Sequence, residues 1–194
     1  MEPRRYIDFL KLVEKLKCNT RHSWTSSGRR ESVAEHTWRL AVMAMLCRDE
    51  FPTLDIDRVI RMCLIHDLGE AITGDIPAFL KTEENEIDEE RAIGALLAEL
   101  PDSYADAFTA LFDEMKEKRT PEARLYKALD NLETLISHNE ADLSTWLPRE
   151  YSENLTYGDE NCAWSDWTRR LKDEVRADSI EKIEASRRKG SEEG

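Results

Sequence analysis

The chain has 194 residues, 40% of them hydrophobic and 36% charged, and 28 basic against 41 acidic side chains leave a formal charge of −13. A chain of about 150 residues already buries around two-thirds of its unfolded surface, so this length supports one sizeable core without disulfides. The acidic balance argues against extended nucleic-acid binding, which needs clustered Lys and Arg to displace counterions from a phosphate backbone.

Seven Gly and six Pro are few, and Leu, Ala, Glu, Lys and Arg are abundant. The composition therefore predicts an all-α fold, a single helical bundle of about six to eight helices over residues 1–185 with a polar tail at 186–194. No run approaches the roughly 20 apolar residues of a membrane helix. Met1-Glu2-Pro3-Arg4-Arg5 leads into an amphipathic segment rather than a signal-peptide core, which predicts a cytoplasmic protein with no membrane partner. Cys18, Cys47, Cys63 and Cys162 show no CxxC spacing and suit reduced, buried thiols.

Ile7, Leu10 and Val13 recur at helical spacing, predicting a first helix that buries one face and ends near Cys18-Asn19. Residues 19–30, NTRHSWTSSGRR, lack periodicity and read as a basic loop carrying Arg21, His22, Trp24, Arg29 and Arg30. Ser32 and Glu35 fit a capping box that opens a helix just before His36 and carries it to about Glu50, where Phe51-Pro52 breaks the pattern. Asp55 or Asp57 opens the next helix, apolar on both faces, which runs into His66-Asp67. Thr73-Gly74-Asp75-Ile76-Pro77 is a turn. Helices follow at about Ile87–Leu100 and Tyr104–Lys118. Another starts at Thr120-Pro121, with Asp130 beside its apolar stripe of Leu125, Leu129, Leu132 and Ile136. Periodicity is lost from Ala141 to Glu160, and a last helix begins near Cys162.

Two of the four His fall inside apolar helices, as Glu35-His36 and His66-Asp67. A buried Asp67 must be paired or coordinated, yet no Lys or Arg lies between Arg61 and Lys81. Two imidazoles and two carboxylates, from His36, His66, Asp67 and Asp130, make a mixed shell suited to one divalent cation, with Co, Mn, Ni, Zn, Fe and Mg all compatible. Glu70, three residues beyond Asp67, is expected to face the same centre and handle a proton. A phosphorylated ligand approaching so acidic a protein also needs a local cation.

These residues resemble a known pattern. His36, then His66-Asp67, then a late helical Asp130 is similar to the H…HD…D signature of the HD-domain metal-dependent phosphohydrolases. ESVAEHTWRLAVMA followed by HDLGEAITGDIP resembles the branch containing bacterial 5′-deoxynucleotidases and their eukaryotic relatives. The resemblance covers residues 6–136 and implies that His36, His66, Asp67 and Asp130 ligate the metal and that Glu70 is general acid or base. It further implies that Asp75 positions water or a sugar hydroxyl, and that Arg21 and Trp24 contact phosphate and deoxyribose. Arg21 and Trp24 are separated here by His22 and Ser23, whereas in some members the two are adjacent. Arg29, Arg30 and Lys81 are further phosphate-contact candidates. A small nucleotide substrate and a homodimer are implied too. No His occurs from residue 68 to 129, which favours a mononuclear site. Hydrolysis of nucleoside triphosphates or alarmone nucleotides, and a non-enzymatic module in which metal only holds helices together, remain the alternatives.

Overall fold

The computed structural model describes residues 1–192. The fold is all-α, as expected. Among the described residues, eight helices of seven residues or more are joined by two single-turn helices, three short 3₁₀ segments and one two-stranded sheet. No described helix is long and apolar enough to cross a membrane. The chain divides into two compact units: residues 1–22 with 31–126, and residues 23–30 with 127–194.

In the first unit, α1 (Pro3–Val13) starts on Pro3, whose missing N–H costs nothing at a helix start. A 3₁₀ turn at Glu14–Lys17 follows and supplies the buried Leu16. The expected burial of one α1 face is only partial: Phe9, Leu12 and Val13 are half-buried, while Tyr6, Ile7 and Leu10 are exposed and no α1 residue is fully buried. What ties α1 down is Arg5, whose guanidinium donates to the carbonyls of Ala98, Glu99 and Leu100.

The segment expected as a basic loop is instead a hairpin, β1 (Thr20–Trp24) paired with β2 (Arg30–Ser32). Helix α2 (Val33–Leu46) then opens on the expected capping box. The Glu35 carboxylate accepts the Ser32 N–H at 2.9 Å, and the Ser32 hydroxyl accepts the Glu35 N–H at 3.3 Å. This fixes the phase that turns Val33, His36, Leu40 and Ala44 inward, all fully buried. Helix α3 (Ile56–Ile65) is capped by Asp55, whose carboxylate accepts the Arg58 N–H. It packs on α2 through Val59, Met62 and Cys63. Each such buried side chain contributes about 1.5–3 kcal/mol. Contrary to expectation α3 is not apolar all round, since Leu64 is exposed and Arg61 lies on the same outer side.

Helix α3 also stops earlier than the periodicity suggests. It ends at Ile65, and the next four residues form a turn before the single-turn α4 (Glu70–Thr73), after which Gly74 takes a positive φ of 75°. Helix α5 (Glu83–Leu97) starts four residues before its expected place because Thr82 and Asn85 form a second capping box. Helix α6 (Asp102–Glu117) is held to α3 by an Arg58–Glu114 ion pair. Helix α7 (Pro121–Glu140) begins on the expected Thr120-Pro121 start.

The second unit holds residues 127–140 of α7, then α8 (Glu150–Thr156), α9 (Asp159–Cys162) and α10 (Asp166–Glu192). The stretch without periodicity is therefore short helices tied by specific polar contacts. The Trp146 indole donates to the His138 carbonyl, Asn131 bonds the Tyr157 hydroxyl, and the fully buried Lys172 donates to the Asn154 carbonyl. Trp146 is buried, whereas Trp164 and Trp167 are half-buried. Helix α10 reaches well into the polar stretch expected to be a tail, and residues 193–194 lie outside the described residues. Three cysteines are buried and reduced, with burial pushing the Cys47 and Cys162 thiols up to about 12 and about 11; Cys18 is exposed.

Gly158 combines a φ of 78° with backbone so near α7 that an added Cβ would sit 2.8 Å from the Asn131 Cβ. Both demands act at once in Gly158→Ala, so about 1–3 kcal/mol of stability is expected to be lost, with the midpoint of urea unfolding as the measurement.

Candidate metal centre

His36 comes from the buried face of α2, one turn after the Ser32 cap. His66 caps the C-terminus of α3, and Asp67 follows in the turn. The His66 Nδ1–H lies 2.9 Å from the Cys63 carbonyl, which leaves the Nε2 lone pair facing inward. His36 Nε2 and His66 Nε2 are 3.3 Å apart, His66 Nε2 is 3.1 Å from Asp67 Oδ2, and His36 Nε2 is 3.9 Å from the same oxygen. Donors about 2.1 Å from one cation at tetrahedral to octahedral angles lie about 3.0–3.4 Å apart; the 3.3 Å and 3.1 Å pairs meet this, and the 3.9 Å pair calls for a wider angle of about 136° at a divalent ion. The donor set, imidazole nitrogen with carboxylate oxygen, suits the transition metals named above.

Burial works against ionisation of Asp67, but the imidazoles of His66 and His36 and the guanidinium of Arg21 hold it well below the usual carboxylate range. Glu70 is reached through a tight turn, its N–H donating to the Asp67 carbonyl, rather than along one continuous helical face as expected. Glu70 is 6% exposed, and its Oε2 has no hydrogen-bond partner among the described residues. Burial first, then the charges of Asp67 and Asp75, push Glu70 up to about 9. Asp75, half-buried after the Gly74 turn, is raised by burial and by Asp67 while Arg21 opposes the shift. The Asn19 side chain donates to the Glu70 carbonyl, tying the base of the hairpin to this turn.

Arg21 therefore sits within electrostatic reach of Asp67, Glu70 and Asp75. It also pairs at 3.8 Å with Glu31, a buried acid on β2 that sequence reasoning missed because an acid beside two arginines reads as surface. Lys81 is bonded to Glu89, and this bond, with the charges of Glu70 and Asp67, raises the ammonium against the cost of burial. Gly69 allows the approach of α5 here: a Cβ would lie 3.0 Å from Ile93 and 3.1 Å from the Glu89 side chain. The structure thus gathers Arg21, His36, His66, Asp67, Glu70, Asp75 and Lys81.

Two expected site residues belong to the second unit. Asp130 is buried on α7, and its carboxylate accepts from Lys127 at 2.7 Å, an i,i+3 pairing that the apolar stripe did not reveal. Trp24 has the Arg30 guanidinium 5.2 Å from its ring centroid, a cation–π contact that covers one ring face.

An all-helical protein built around paired imidazoles, a carboxylate and a buried proton-holding acid is the class that fold and site define. The HD domain family matches residues 13–171, and the chain belongs to this family. It is 36% identical over 141 residues to 5′-deoxynucleotidase HDDC2 of Homo sapiens, covering 71% of this chain and 68% of that one. It is 28% identical over 170 residues to 5′-deoxynucleotidase hdd1 of Schizosaccharomyces pombe, covering 78% and 85%. The crystal structure of a predicted metal-dependent phosphohydrolase from Magnetospirillum magnetotacticum superposes with a TM-score of 0.77 at 31% identity, covering 93% of this chain and 92% of that one.

The Glu70 carboxyl, raised from 4.5 to about 9 on folding, binds its proton more tightly in the native state. Its contribution to stability is complete at acid pH and is lost as pH rises through that window. In chelator-treated protein, the unfolding free energy is expected to fall between about pH 5 and pH 9, and Glu70→Gln to remove most of the slope, leaving the part due to Asp75. A flat profile in the unaltered protein is incompatible with this environment for Glu70.

Proposed function

We propose that this chain is a metal-dependent phosphohydrolase that removes the 5′-phosphate from nucleoside monophosphates, deoxyribonucleotides above all. The observation that carries the reading is the set of 3.1–3.9 Å separations among His36, His66 and Asp67 beside a buried Glu70 with an unpartnered oxygen. The deoxynucleotidase names of the relatives support the substrate class. In this reading the family match across residues 13–171 represents one HD domain reaching residue 185.

His36, His66 and Asp67 would hold the cation, with Asp130 added as a ligand on the family signature alone. The cation would supply Lewis-acid charge for the phosphoryl oxygens. Arg21 neutralises phosphate charge as it spreads in the transition state, with Lys81 as a second positive charge nearby. Asp75 orients the attacking water or the sugar hydroxyl. Glu70 holds the proton exchanged between that water and the leaving 5′ oxygen. Burial keeps this proton on the carboxyl near neutral pH in metal-free protein, whereas added positive charge lowers the carboxyl toward the range of a general base. Trp24 crowds the position of a 2′-hydroxyl and so sets deoxy preference. The site's setting is cytoplasmic and the protein a homodimer. An apolar stripe on the outer side of α2, with Trp38 65%, Met45 58% and Leu46 77% exposed, supports self-association.

Stripping the protein with chelator, restoring single divalent metals and measuring phosphate release from ribo- and deoxyribonucleoside mono- and triphosphates tests this reading. Metal-dependent release from deoxyribonucleoside monophosphates is expected. Asp67→Ala should reduce it to background and also weaken metal binding in calorimetry. Trp24→Ala should narrow the deoxy-to-ribo ratio. Release from triphosphates alone transfers the assignment to a nucleoside triphosphate hydrolase, and bound metal without any release points to the non-enzymatic module.

A further inference from the structure

His66 is shared between the metal centre and a cavity of about 560 Å³ lying wholly within the first unit, between α5, α6 and the start of α7. The volume is that of a small-molecule site. At the inner end the His66 ring lies 5.4 Å from the ring of Tyr126, which is buried. Ile93, Leu97 and Met115 make apolar wall, and Phe112 adds an aromatic face. The charged lining holds four acids, Glu86, Glu89, Glu90 and Asp113, against two lysines, Lys116 and Lys118. Glu89 is engaged with Lys81 and Glu90 with Lys116, while the Glu86 and Asp113 carboxylates form no hydrogen bond or ion pair among the described residues.

These features sort the two ends of a nucleotide. A phosphate meets net negative charge in the cavity lining and is attracted instead to the cation and to Arg21, whose charge acts on Asp67, Glu70 and Asp75. A planar heterocycle gains from the apolar wall and the Phe112 face, and its exocyclic amine has carboxylate acceptors within the same lining. We propose that the cavity between α5 and α6 is the nucleobase subsite and that it favours bases bearing an exocyclic amine, adenine, cytosine and guanine, over thymine. The inference rests on the nucleotidase reading above. It adds where the base goes and which bases are preferred.

Gly94 provides the means of testing this, because it lines the cavity and a Cβ there would meet nothing within 4 Å. A side chain can therefore start there without a clash at its Cβ and extend into the cavity. Metal-loaded protein is assayed with dAMP, dCMP, dGMP, dTMP and the base-free 2-deoxyribose 5-phosphate, and deoxyadenosine binding is measured by calorimetry. Gly94→Trp is expected to raise KM for dAMP by about tenfold or more and to abolish deoxyadenosine binding, with kcat/KM for 2-deoxyribose 5-phosphate unchanged. Phe112→Leu should act in the same direction more weakly, and serves if the Trp variant does not fold. Asp113→Asn should narrow the ratio of dAMP to dTMP turnover.

Equal kcat/KM for dAMP in the plugged and unaltered proteins overturns the subsite, even if deoxyadenosine binds, since the cavity then serves an effector. An unchanged base ratio in Asp113→Asn overturns the amine preference. If the unaltered protein releases phosphate from no nucleotide, the nucleotidase reading fails separately. The calorimetric arm then decides the cavity: binding lost in Gly94→Trp upholds it, and binding retained removes it.

Discussion

Two imidazole nitrogens facing each other at 3.3 Å, with a carboxylate oxygen 3.1 Å from one of them, form the constraint around which the first unit is arranged. Lone pairs held this close inside a protein repel unless a proton or a cation lies among them. The scaffold preserves the arrangement by local means. The Ser32–Glu35 capping box sets the phase of α2, and so turns His36 toward the core. The Cys63 carbonyl binds the far nitrogen of His66 and fixes which nitrogen points inward. Packing of α2 on α3 then brings the rings together.

How the acids divide their work follows from burial and neighbours. Asp67, beside both imidazoles and Arg21, stays ionised in spite of being enclosed. Glu70, more deeply buried and beside Asp67 and Asp75, is driven the other way. In the metal-free chain two carboxyls three residues apart thus have their proton affinities pushed in opposite directions by burial and neighbouring charge. In a chain of formal charge −13, the positions of the few nearby cations matter more than the net balance. Arg21 is brought in by β1, and Lys81 is fastened by Glu89 on α5.

Much of this was legible in the sequence, for reasons that differ by residue. His36, His66 and Asp67 stood out because polar groups in apolar surroundings need a partner, and the structure places them together. The capping box was legible because it is written in four consecutive residues. The break after Ile65 was not, since helical spacing of apolar residues continues through a turn that is set by hydrogen bonds. The hairpin was missed for a related reason: its strands are three and five residues long and polar, so pairing rather than alternation defines them. The α1 stripe misled in the opposite sense, because periodicity states which face is apolar and not whether anything covers it. Glu31, Glu89 and the Lys127–Asp130 pair were illegible because each acquires meaning only from a neighbour.

A phosphorylated ligand approaching so acidic a protein must be oriented by local charge. Long-range repulsion alone would exclude it, so attraction must come from close range, where an enclosed cation or guanidinium acts through less water than the surface acids do. Carboxylates around the cavity beside His66 then have a positive use, for they make that volume hostile to phosphate and hospitable to an amine. Gly69 and Gly94 contribute through what they lack. The first lets α5 approach the metal turn, and the second keeps the cavity open on the same helix face. A methyl group at Gly69 would push α5 and Glu89 away and loosen Lys81, so the charge sorting depends on backbone contact as much as on the charged groups.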